Sequence, residues 1–237
     1  MSQTETALDI DASMTRSARG AQARAKLKRA CLAVLEREGY HNMRIADVTS
    51  QAGVAQGLFY HYFKDLKSLT LEVLGEYVAQ AGHLEEIEKD VERGNWYQLI
   101  YAHNLLVVRS YARRPGLMRC LFQMADEDVQ FSGMLRESFM EQLNWLVRLM
   151  PSLFPSTQFK EGQALMVAYA LAGAGETLLK EYFINSNPGL TDTHLTIEEV
   201  TELLATMFYR GLFLEHPPAA ELDYAKNLAN MAKDQRE

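Results

Sequence analysis

Gln56, Tyr60, His61 and Tyr62 fall in one short segment, with Arg44, Lys64 and Lys67 close by in the chain. A glutamine amide can bond an adenine edge through two hydrogen bonds, and tyrosine and lysine side chains can reach phosphate oxygens. The chemistry on offer is recognition of a duplex rather than bond breaking. Patterns for catalysis are sparse. A carboxylate-bridged di-iron bundle needs two Glu-x-x-His motifs and two further glutamates, and only Glu38-x-x-His41 fits, straddling Gly39. There is no His-Glu-x-x-His, no clustered Cys/His set, no glycine-rich phosphate loop and no Gly-x-Ser-x-Gly. The six histidines are scattered at positions 41, 61, 83, 103, 194 and 216. No catalytic residue, metal site or cofactor is expected.

A net charge of −7 argues, taken as an average, against a nucleic-acid partner. Its distribution reverses that reading. Between Ala12 and Lys67 ten Lys and Arg face four Asp and Glu, a net +6, while residues 68–237 carry 14 bases and 24 acids, a net −10. Asymmetry on this scale suggests two jobs in one chain, the alternative being a basic helix that is merely solvated.

The two cysteines, Cys31 and Cys120, cannot form a disulfide framework and suit a reducing compartment. The first 20 residues hold no apolar signal core. The most apolar stretch, Leu165–Gly175, is far shorter than the roughly 20 residues of a spanning helix. A cytoplasmic protein with no membrane partner is expected.

The elements that must position these residues read as helices throughout. The first 114 residues contain no proline, which breaks helix interiors. After an acidic tail expected to be disordered (residues 1–15), apolar residues at Ala23, Leu27, Ala30, Cys31, Val34 and Leu35 make one stripe of a helix ending at Gly39. Two short helices follow, about Arg44–Ala52 and Ala55–Tyr62, joined by a turn at Gly53. Val48, Ala52, Val54, Phe59 and Phe63 are spaced to pack them against Leu27, Val34 and Leu35. This is the helix-turn-helix pattern. A helix from Leu66 fades in the charged run Glu85–Arg93. Further helices are expected at Asn95–Arg114, Gly116–Glu127, Asp128–Met150 (stopped by Pro151), Thr157–Ile184 and Thr196–Leu214, with a last polar helix at Ala219–Lys233.

Gly39-Tyr40, Asp47-Val48, Ala52-Gly53-Val54 and Gly57-x-Phe59-Tyr60-x-Tyr62-Phe63 together resemble the DNA-binding domain of the TetR family of transcriptional regulators. The resemblance covers residues 18–67. Three positions depart from it. Arg44 stands where the family usually has Thr or Ser, Thr49 where it often has Ala, and Leu66 where it commonly has Lys, so that Lys64 or Lys67 must substitute.

The resemblance implies an all-α chain. A three-helix helix-turn-helix DNA-binding domain (16–67) precedes an all-helical ligand-binding and dimerisation domain (68–237). It implies a repressor that binds a palindromic DNA operator as a homodimer and is released by a small apolar effector. The alternatives are a helical protein-interaction module or a helical-bundle enzyme without DNA binding. DNA contacts are expected from Arg44, Ala55, Gln56, Tyr60, His61, Tyr62, Lys64 and Lys67. Arg16 and Arg19 stand either in an adjacent minor groove or free in solvent. The effector pocket is expected to draw on Tyr101, Asn104, Val108, Met118, Phe122, Phe139, Trp145 and Tyr169, with His103, Asn104 or Arg109 fixing a ligand's orientation. The homodimer is expected through helices 157–184 and 196–214, rich in small residues and in apolar residues respectively.

Overall fold

A computed structural model describes residues 3–80, 89 and 91–232. The described residues form helices and turns with no strand. In chain order the helices are α1 (Gln3–Glu38), α2 (Ile45–Ala52), α3 (Gln56–Tyr62), α4 (Leu66–Gln80), α5 (Trp96–Arg113), α6 (Pro115–Glu127), α7 (Val129–Leu153), α8 (Gln163–Leu179), α9 (Pro188–Thr191) and α10 (Ile197–Phe213). Most of the charged run Glu85–Arg93 lies outside the described residues.

The core begins with α1. Leu27, Cys31, Val34 and Leu35 are fully buried against Val48 of α2, Phe59 of α3 and Leu69 and Leu74 of α4. Gly53 takes a left-handed backbone (φ 65°) between α2 and α3, a conformation costly for any residue with a Cβ. Thr49, where an apolar residue would suit the buried site, satisfies its hydroxyl by donating to the Ile45 and Ala46 carbonyls at 3.0 and 3.2 Å. Arg44 precedes α2 and offers no hydroxyl cap. Asp47 reaches back instead, and its Oδ2 accepts from the Arg44 N–H at 2.8 Å.

Four boundaries differ from the sequence expectation. The first helix starts at Gln3 and runs through the stretch expected to be a disordered tail. That stretch holds neither Gly nor Pro before Gly20, so nothing in it breaks a helix. Helix α7 does not stop at Pro151 but continues to Leu153, with Phe154 N–H donating to the Met150 carbonyl. Leu146, Met150 and Phe154 share one apolar cluster, which holds that last turn in place. Helix α8 starts at Gln163 rather than Thr157. Gly162 is left-handed (φ 73°), and the Gln163 side chain folds back to accept from the Lys160 N–H. The last polar helix is replaced by 3₁₀ turns at Ala219–Glu221 and Tyr224–Ala232.

The reason for the last change is a buried carboxylate. Glu202 of α10 is 8% exposed and accepts from the backbone N–H groups of Asp223, Tyr224 and Ala225 at 2.7, 3.2 and 2.8 Å. Glu221 adds bonds to Asn95 (3.0 Å) and Gln98 at the start of α5. The C-terminal segment is thus strapped across α5 and α10, over a cluster of Tyr97, Tyr209, Leu222 and Ala225.

Candidate functional site

The outer surface of α3 carries Gln56, Tyr60 and His61, all exposed, with Ala55 exposed as the residue that begins the helix. Phe59 and Phe63 point the other way into the core, in contact at 5.9 Å between ring centres. Arg44 and Lys64 are exposed on either side. Two residues expected in this interface are placed otherwise. Tyr62 is half-buried and its hydroxyl turns toward Gly20 of α1, because its position in α3 lies on the Phe59 flank. Lys67 is held by Asp128 at 2.8 Å, at the start of α7. That contact lowers the Asp128 pKa and raises that of Lys67.

The basic segment also sorts itself. Arg24 and Lys28 are taken up by Glu72 of α4 (2.6 and 2.5 Å), and Arg24 also lies over the Phe63 ring. These charges lock α1 to α4. Arg19, Lys26, Arg29, Arg44 and Lys64 are exposed, and among the described residues none has an ion-pair partner within 4 Å. The side chain of Arg16 lies outside the described residues.

Behind this domain, α4 to α8 and α10 surround a cavity of about 420 Å³ with largely apolar walls. Of the residues expected to form a pocket, Asn104, Met118, Phe122, Phe139, Trp145 and Tyr169 line it. Tyr101 and Val108 do not. They sit seven apart on α5 outside the lining, Tyr101 beside Tyr97 and Val108 fully buried with Leu179 and Val200. Arg109 is likewise outside, 3.8 Å from Glu198. Sequence reasoning missed Ser132, Arg136 and Gln142 of α7, which line the cavity beside Leu135, Phe139, Leu143 and Leu146. The helical spacing of 132, 135, 136, 139, 142, 143 and 146 was the available signal.

His103 also lines the cavity, its ring stacked parallel to Trp145 with centroids 5.6 Å apart. Burial lowers its pKa from 6.5 to about 4, so the imidazole is neutral at pH 7. Between those two values the unfolded chain binds a proton that the folded chain excludes. Stability is therefore expected to fall as pH drops from 6.5 toward 4, by at most about 3 kcal/mol from this group. Urea midpoints at pH 7.5 and 4.5 check this. His103→Asn should show a smaller drop between the two, and an equal drop would remove His103 as its source.

The cavity wall is joined to the DNA-facing domain through α6, which contributes Met118, Leu121, Phe122 and Ala125 to the lining. At its start, the Glu36 carboxylate of α1 accepts from the N–H groups of Gly116 and Leu117 at 3.1 and 2.7 Å. At its end, Glu127 meets His41 at 3.0 Å, and the next residue is Asp128, the partner of Lys67. Helix α6 is thus fastened to the helix-turn-helix domain at both ends.

A helix-turn-helix set on a basic three-helix core, backed by a helical domain with an apolar cavity, defines an all-α fold. Comparison with known proteins agrees. Residues 29–73 match the family described as bacterial regulatory proteins, tetR family. That segment is a TetR-family domain. The chain is 32% identical over 63 residues to the fatty acid metabolism regulator protein of Bacillus subtilis (strain 168), a match that spans 27% of this chain and 31% of that protein. Solved structures share the fold over much more of the chain. A transcriptional regulator FadR from Bacillus subtilis, in complex with stearoyl-CoA, aligns over 79% of this chain and 98% of that one, at 18% identity and a TM-score of 0.60. A TetR-family regulator structure from Mesorhizobium loti aligns over 83% and 98%, at 17% identity and a TM-score of 0.63.

Proposed function

We propose that this protein is a ligand-responsive transcriptional repressor. In this reading residues 16–67 bind a palindromic operator, and residues 68–237 hold the effector and the dimer contact. The observation that carries it is the exposed face of α3, where Gln56, Tyr60 and His61 stand on a fully buried Phe59. Arg44 and Lys64, exposed and without an ion-pair partner among the described residues, flank that helix in the chain. Two copies are needed, because paired recognition helices address half-sites about 34–36 Å apart. Met166 and Tyr169 of α8 and Met207 of α10 are 70%, 52% and 53% exposed in the single chain, which suits a bundle with a partner copy.

The cavity suits a small apolar effector, and the stearoyl-CoA held by a solved structural neighbour carries a long apolar chain. An effector releases DNA only if it prefers the conformation that binds DNA less well. The fastening of α6 to α1 gives such a preference a route from the cavity wall to the operator face.

Selection of bound sequences from a random duplex pool, followed by binding at several salt concentrations, tests the reading. A two-fold symmetric site with a steep salt slope is expected. Gln56→Ala should lose about 1–3 kcal/mol of discrimination at one base pair per half-site, read from the same selection. An unchanged sequence profile would take Gln56 out of base readout.

A further inference from the structure

The cavity is two-sided. Helix α6 supplies an apolar wall, whereas α7 presents Ser132, Arg136 and Gln142. Arg136 both lines the cavity and is exposed, so it stands where the cavity opens to solvent. Among the described residues it has no hydrogen-bond or ion-pair partner. The lining carboxylate, Glu176, is already compensated by Lys180 at 2.8 Å, and that ammonium is further engaged over the Phe122 ring at 3.7 Å. His103 is uncharged at neutral pH, so it competes for no anion. Arg136 is therefore the uncompensated charge of the described lining, and Ser132 sits one helical turn before it on the same face.

We propose that the cavity takes an amphiphile with an apolar body and an anionic head, the body against α6 and the head at Arg136 and Ser132. The inference rests on the reading of the cavity as the effector site and adds the class of effector. A guanidinium binds carboxylate or phosphate oxygens through paired donors, and a neighbouring hydroxyl supplies a further one. An apolar body without a head leaves Arg136 as it is. A cationic head meets repulsion. The anion can be a free carboxylate or belong to a nucleotide thioester of the same chain, since both offer charged oxygens at the mouth.

Titration calorimetry on the full chain, with Trp145 emission as a second readout, tests this with four twelve-carbon probes: dodecanoate, dodecanoyl-CoA, dodecanol and dodecyltrimethylammonium. Dodecanoate or dodecanoyl-CoA is expected to bind at least tenfold more tightly than dodecanol, with the ammonium weakest. The tighter of the two anionic probes identifies the source of the head. Arg136→Gln should bring the anionic probes to the affinity of dodecanol and leave dodecanol unchanged. Because Arg136 is exposed, the variant should fold and bind duplex as the parent does. Equal affinity for dodecanol and both anions, no effect of Arg136→Gln, or binding of none of the probes would overturn the proposal. A failure of duplex binding by the parent chain would instead overturn the regulator reading and leave these titrations standing.

Discussion

A methyl group added at Gly116 is expected to cost at or above the upper end of the about 1–3 kcal/mol typical of overpacking. The Cβ of Gly116→Ala would stand 2.9 Å from the Glu36 carbonyl carbon and closer still to its oxygen. Both are backbone atoms near the end of α1 and cannot rotate away. Relief requires α6 to withdraw from α1, which also lengthens the two bonds that Glu36 accepts from Gly116 and Leu117. The measurement is the urea midpoint, with the slope unchanged if the transition stays two-state. Gly133→Ala is the control, because open space surrounds that position. Equal midpoints for the two variants would show that α6 and α1 are not in fixed contact. On the proposed function, any Gly116→Ala protein that folds should also respond less to effector, since its α6 is no longer seated on α1.

Phe59→Ala is the second large effect, about 3–5 kcal/mol. The ring is fully buried between α1 and α2 and contacts Phe63. Helix α3 is two turns long and holds its orientation through this side chain. Its loss frees Gln56 and Tyr60 from a defined direction as well as lowering the melting temperature. Tyr60→Phe removes only an exposed hydroxyl and should leave the melting temperature within measurement error. A Phe59→Ala protein as stable as the parent would mean that α3 is anchored elsewhere.

The helix-turn-helix half was legible because its information is local. Apolar residues at helical spacing, Gly53 at a left-handed turn and the α3 pattern each specify a neighbour a few positions away. Even there, Tyr62 could not be placed, since a two-turn helix leaves the flanks of its exposed face undefined. The cavity was legible only in outline. Its walls come from six helices spread over more than a hundred positions, and periodicity tells which face of α5 is apolar but not which neighbour that face meets. Tyr101 and Val108 went astray for this reason. Arg136 escaped notice because a charged residue on an apolar face looks like solvent-facing punctuation until the opposite wall is in view. The Glu36–Gly116 contact joins residues 80 positions apart and has no local signature.

The strap that Glu202 holds sets how far the chain can be shortened. Ending it after residue 232 removes nothing that the carboxylate touches. Ending it at Leu222 deletes all three of its donors and leaves a charge inside α10 with no compensation, at a cost of several kcal/mol. Fragments made for crystallisation or fused reporters should therefore keep Asp223–Ala225.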